Sequence, residues 1–182
     1  MAETIAETER LILRTWRDDD LAPFHAMCSD QRIMATLGPL MDRVGTAALI
    51  EKLHWHQAKN GHCFWALESR SDGRFLGICG LIRADVGPIA DKVEIGWRIA
   101  YEDWGQGYAR EAAMASLDWG FANLSDDDIW GITTPANTRS WGLMERLGMK
   151  RHPELDFDHP NVPDGSPLKR HITYSIDRPI SC

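Results

Sequence analysis

The cleanest alternation in the chain is DKVEIGWRI at 91–99, where Val93, Ile95, Trp97 and Ile99 fall on one face and Glu94, Gly96 and Arg98 on the other. A period of two is what a half-buried strand presents. Leu11, Leu13 and Thr15 alternate with Ile12 and Arg14 and predict a first strand over 9–16. Segments 62–69 and 74–82, rich in aromatic and β-branched residues, predict a hairpin around Ser71-Asp72-Gly73. Helical spacing takes over elsewhere. The run Asp18-Asp19-Asp20 offers N-caps for a helix over 20–28, and 45–59 carries Ala47, Leu49, Ile50, Leu53 and Trp55. From 107 to 124 one stripe collects Ala109, Ala112, Ala113, Ser116, Leu117, Gly120, Phe121 and Leu124. A short strand over 128–134 ends at Pro135, and Asn137 caps a helix through Leu147 with Gly148 just beyond it. The tail predicts a strand near 149–156, a proline-rich loop at 158–167 and a last strand at 169–177.

The 182 residues predict one domain, 1–182, and 43% apolar residues suffice for a core. A formal net charge of −7 gives no general field for nucleic acid, so an anionic ligand must be met locally by backbone groups and a few arginines. No apolar run approaches the roughly 20 residues of a membrane span. The opening MAETIAETER lacks the apolar core of a signal peptide. Cys28, Cys63, Cys79 and Cys182 show neither CxxC nor zinc spacing, so no metal is expected and a reducing cytoplasm is the expected compartment.

The informative chemistry lies where the strand 91–99 runs into the helix from 107. The junction reads Trp104-Gly105-Gln106-Gly107-Tyr108-Ala109-Arg110. Its glycines let backbone approach a ligand, and the first-turn N–H groups of a helix lack intrahelical partners at the positive end of its dipole. That combination suits a phosphate or pyrophosphate, although a tight turn into a helix reads the same way. A P-loop needs Lys-Ser or Lys-Thr after the glycines, which is missing here. A dinucleotide fingerprint needs a third Gly or Ala where Arg110 stands, and a βαβ unit where a hairpin precedes.

Four segments taken together resemble the Gcn5-related N-acetyltransferase (GNAT) superfamily: TERLILR at 8–14, VEIGW at 93–97, WGQGYAREA at 104–112, and the block Asn137, Ser140, Leu143, Glu145, Arg146, Leu147, Gly148. Within it the chain looks closest to the bacterial ribosomal-protein N-terminal acetyltransferases. The resemblance implies an α+β fold, with a central mixed, mostly antiparallel sheet flanked by helices. That sheet would part between the strands 91–99 and 128–134. Acetyl-CoA would be the donor, its pyrophosphate on the amides of Gly105, Gln106, Gly107, Tyr108, Ala109 and Arg110. A main-chain N–H around Trp97, Arg98 or Ile99 would meet the thioester oxygen. Asn137 would touch the pantetheine or phosphate arm, and Arg139 and Arg146 are candidates for the 3′-phosphate. Two positions depart from the family pattern. Trp104 stands where Arg or Gln is frequent, and Met144 replaces a tyrosine that many relatives use to protonate the thiolate. Ser140, one turn earlier, is the candidate substitute; the alternative is a serine bonded to its own helix.

Acetyl transfer to an amine needs that amine neutral. At pH 7 a lysine side chain, with a pKa of roughly 10.4, costs about 4.6 kcal/mol to deprotonate, and an α-amine near 8 only about 1.4. A weak base therefore suffices for an N-terminal acceptor. Glu94 is the candidate base, with Gly96 expected to leave room beside it for substrate; a solvated or Arg98-paired carboxylate is the alternative. The expected activity is acetylation of a primary amine by direct attack in a ternary complex. A protein or peptide N-terminus is the favoured acceptor. A small-molecule amine and a non-catalytic acyl-CoA sensor are the alternatives. No cysteine occupies an evident nucleophile position. The expected assembly is a monomer or homodimer.

Overall fold

The computed structural model describes residues 2–180; Met1, Ser181 and Cys182, the last among the cysteines considered above, lie outside the described residues. β1 (Thr4–Glu7) and β2 (Leu11–Arg14) form a first antiparallel pair. A 3-10 turn over Asp18–Asp20 leads into α1 (Leu21–Cys28), a short α2 (Gln31–Met34) and the long α3 (Arg43–Asn60). β3 (Phe64–Ser69), β4 (Phe75–Arg83) and β5 (Val93–Ile99) continue the antiparallel ladder. α4 (Tyr108–Asn123) then crosses over to β6 (Asp128–Thr133). α5 (Thr138–Arg146), β7 (Lys150–Arg151), β8 (Phe157–Asp158) and β9 (Arg170–Asp177) complete the chain.

The strands make one sheet in the order β1-β2-β3-β4-β5-β6-β9-β7, with β8 added on β9. Every pairing is antiparallel except β5 with β6, which is parallel and has a single paired position, Glu94 with Trp130. The α+β reading and the parting of the sheet are therefore what the structure shows. The alternation of β5 is realised as expected: Val93, Ile95 and Ile99 are buried, Trp97 half-buried. α4 packs on β4 and β5 through Ala112, Ala113, Ser116, Leu117 and Gly120. α1 and α3 cover the opposite face.

Several local expectations change. Asp20 does not cap α1 with its side chain. It is buried with Arg14, both 3% exposed, in a two-pronged ion pair of 2.7 and 2.8 Å, and it also accepts the Arg17 N–H. α3 begins at Arg43 because Asp42 accepts the Gly45 N–H. The strand foreseen over 149–156 shrinks to Lys150–Arg151. The His152 N–H still bonds to β9 at Thr173, but Pro153 has no N–H to continue the ladder and opens a 3-10 turn instead. Among the described residues no helix is long and apolar enough to cross a membrane.

Candidate functional site

The parting of the sheet opens a cleft of about 900 Å³. Lys92 and Ala100 direct their carbonyl and amide groups to β4, as do the even-numbered residues between them. The main-chain groups of Ile95, Trp97 and Ile99 therefore face the β6 side, where pairing stops at Glu94. The Ile99 carbonyl is taken by the Trp104 indole N–H at 2.9 Å. The Trp97 and Ile99 N–H groups lie on the open side, positioned to donate into the cleft.

Beyond β5 the chain turns through Gly105 and Gly107, with φ of 78° and 84°. These left-handed angles cost a residue with a Cβ and come freely to glycine. Gly107 ends the loop and starts α4, whose first helical bond runs from the Glu111 N–H to the Gly107 carbonyl. The N–H groups of Tyr108, Ala109 and Arg110 precede that bond. They are available at the cleft, which all three residues line together with Gly105 and Gly107. Arg10 of the β1–β2 turn braces the loop. Its guanidinium donates to the Gln106 carbonyl (3.0 Å), pairs with Glu111 (2.6 Å) and lies over the Tyr108 ring. Gln106 itself does not line the cleft, because its carbonyl is held by Arg10 and its amide bonds to the Glu102 carbonyl.

Across the cleft Asn137 caps α5, accepting the Ser140 N–H at 3.3 Å. The Ser140 hydroxyl makes no hydrogen bond among the described residues and lines the cleft, so it is not spent on its own helix. Met144 is 2% exposed and wedged against Gly131, and it has no proton to give. Arg110, Arg139 and Arg146 line the cleft with no carboxylate partner among the described residues. Arg139 stacks on Trp104, 4.3 Å from the ring centre. The turn amides and these arginines fit the pyrophosphate and 3′-phosphate of acetyl-CoA, and the narrow gap beside Trp97 and Ile99 fits its thioester arm.

The other wall is built of side chains. Glu94 is half-buried, lines the cleft and has no hydrogen-bond partner among the described residues. Burial, helped by the Asp85 carboxylate and opposed by Lys52, pushes its carboxyl up to about 7. It is not paired with Arg98, which donates instead to the Cys28 thiol at 3.0 Å and lies toward the Phe24 ring. The room foreseen beside Gly96 is filled. A Cβ there would meet the Phe64 ring at 2.7 Å, so the glycine accommodates an aromatic side chain and not a substrate. Ile33, Leu37, Leu49, Leu53, Phe64 and Ile78 give this end an apolar lining. Sequence reasoning missed them, because they come from α2, the turn after it, α3 and two strands and share no motif.

β8, which leads into the loop at 158–167, packs against the β4–β5 turn, with Phe157 where Gly87 leaves room. Asp156 is tied to Arg151 and Asp158 to Arg170. His54 is exposed and His56 buried. Among the described residues no group of three or more His, Cys, Asp or Glu stands ready for a metal ion.

A sheet parted beside a glycine-turned helix start, with amides and arginines on one wall and a carboxylate on the other, suits an acyltransferase that takes its acyl group from coenzyme A. The acetyltransferase (GNAT) domain model matches residues 10–150, and the chain belongs to that family. Its activity is acetyl-CoA-dependent N-acetylation of an amine. Protein YkkB of Bacillus subtilis (strain 168) is 33% identical over 152 residues, 81% of this chain and 86% of that protein. The N-acetyltransferase YoaA of the same organism is 27% identical over 187 residues, 96% and 97% of the two chains. Among solved structures, the ribosomal L7/L12 α-N-protein acetyltransferase RimL in complex with coenzyme A superposes with a TM-score of 0.77 at 13% identity, covering 96% of this chain and 98% of that one. The spermidine N-acetyltransferase of Vibrio cholerae, in complex with CoA and spermine, gives 0.73 at 20% identity, covering 94% and 97%.

Proposed function

We propose that residues 1–182 form a single acetyltransferase unit whose preferred acceptor is the α-amine of a protein or peptide N-terminus, acetylated by direct attack in a ternary complex in the cytoplasm. The observation that carries this reading is the unpartnered Glu94 carboxyl, held near neutrality at the cleft. Bound acetyl-CoA supplies an acetyl thioester. Glu94 takes the proton that the amine loses, and a group titrating near 7 matches an α-amine near 8 better than a lysine near 10.4. The Trp97 and Ile99 N–H groups, fixed by the β4–β5 ladder, donate to the thioester oxygen as charge builds there. The Ser140 Oγ–H donates a hydrogen bond to the departing thiolate, which then takes a proton from water as Glu94 returns the amine's proton to solvent. Gly105, Gly107, Tyr108, Ala109, Arg110 and Asn137 hold the donor, while Gln106 braces the turn from outside the cleft and Arg98 keeps its main chain in the β4 ladder. RimL, an α-N-protein acetyltransferase by name, shares the fold and supports the acceptor class. A small-molecule amine is the second reading, favoured by the apolar lining of the acceptor end. The test is thiol release from acetyl-CoA with a panel of peptides bearing free or blocked N-termini, against lysine side chains and simple amines. Turnover of the free N-termini is the expected result. Turnover confined to simple amines installs the second reading.

A further inference from the structure

On the acceptor face of β5, Arg98 is the one residue whose chemistry the acetyl transfer leaves unused. It follows Glu94 by four residues on the same side of the strand, about 13 Å away along the backbone. Its Nε is buried without a hydrogen-bond partner, and its only polar side-chain contact among the described residues is the Cys28 thiol. That thiol is protonated, since burial raises its pKa, so it offers the guanidinium no negative charge. A guanidinium removed from water normally sits against a carboxylate or phosphate. Fully buried Arg14 follows that rule and binds Asp20 and Glu68, and half-buried Arg178 is satisfied by three main-chain carbonyls. Arg98 has neither, and it lines the cleft. Between it and Glu94 the Phe64 ring covers Gly96, an apolar floor between a carboxyl and a cation.

Resting on the acetyltransferase reading above, we infer that the acceptor carries a carboxylate, which pairs with Arg98 while its amine lies at Glu94. The acceptor is therefore an amino-carboxylate whose two charges are separated by several bonds and an apolar stretch. An N-terminal peptide with an acidic side chain near its first residues has this chemistry, and so does a free ω-amino acid. The planar five-donor fork of arginine suits a carboxylate, and Arg98 has no carboxylate of the chain's own to compete with one entering from the cleft. A polyamine, with a second positive charge in place of the carboxylate, fits this face poorly.

The test compares matched pairs that differ only in that charge: Ser-Glu-Leu-amide with Ser-Gln-Leu-amide, and 6-aminohexanoate with 6-aminohexanamide. Both kcat/KM by thiol release and Kd for the CoA-saturated protein are measured, on wild type and on Arg98→Gln and Arg98→Lys. The acid of at least one pair is expected to be preferred tenfold or more, mainly through KM. The ratio of acid to amide should fall to about one in Arg98→Gln and stay partly in Arg98→Lys. Because the readout is a ratio within one variant, a general loss of fold or donor affinity cancels. Which pair responds tells a peptide side chain from a free amino acid. Equal use of acid and amide by wild type, or a preference that survives Arg98→Gln, overturns the inference. If no amine is turned over, the catalytic reading fails by itself, and the Kd ratios still decide for or against Arg98: equal or undetectable binding of acid and amide overturns it.

Discussion

On the donor side of β5 the thioester and pyrophosphate are offered main-chain groups, namely the Trp97 and Ile99 amides, two glycine turns and the first turn of α4, with side chains such as Ser140 and Arg139 added around them. On the acceptor side the groups offered belong to side chains: Glu94, Arg98, Phe64 and the aliphatic residues of α2 and α3. Backbone groups recognise what every member of a family shares, because their placement follows from φ and ψ. Side chains can be exchanged without disturbing the ladder that carries them. A fold that divides labour this way keeps one donor and is free to change acceptors.

Four substitutions test that division, from the largest expected effect to the smallest. Glu94→Gln should lower kcat by about a hundredfold or more, the range of a lost general base. In wild type kcat/KM should rise with pH through a limb near 7, and the variant should lose that limb and keep only the one set by the acceptor amine near 8. Stability should move the other way. The folded carboxyl holds its proton more tightly than the unfolded one, so its contribution is fully present below pH 4.5 and is lost as pH rises to about 7. Glu94→Gln should therefore be more stable than wild type above pH 7, by about 1–3 kcal/mol in denaturant titrations. An unchanged rate would remove Glu94 from the chemistry.

Gly107→Val places a β-branched residue at φ 84°. Acetyl-CoA affinity should weaken by about thirtyfold in calorimetry, with circular dichroism showing the helices intact. Full affinity would mean that the phosphates bind elsewhere. Ser140→Ala should cost about tenfold in kcat at unchanged acetyl-CoA affinity, and an equal loss in both would make Ser140 a binding residue only. Arg139→Gln should weaken acetyl-CoA only a few-fold, and less at high salt, because an exposed cation acts through a screened field.

The same division explains what the sequence could say. The donor wall was legible because it is contiguous: WGQGYAREA needs its glycines in order, and the β5 alternation fixed which face each residue takes. Asn137 was legible as a cap for the same local reason. The acceptor wall was not, since Leu49 and Leu53 read only as a helix stripe and Phe64 only as a strand aromatic. Gly96 was misjudged because the ring that fills its space lies two strands away. Asp20 looked like a cap because nothing local announces that Arg14 lies beside it. β1 went unread because Thr4–Glu7 is too short to show a period, and α2 because its four residues hold less than two turns.

The lone pairing of Glu94 with Trp130 leaves the two halves of the sheet joined by little backbone hydrogen bonding. Amide hydrogens at Trp97 and Ile99 should then exchange with deuterium quickly for strand residues, while their β4-facing neighbours Gly96 and Arg98 stay protected. Acetyl-CoA, seated between the halves, would slow the exposed pair most. The donor would thus act as a missing strand, completing with its own amides and carbonyls a sheet that the chain leaves unfinished.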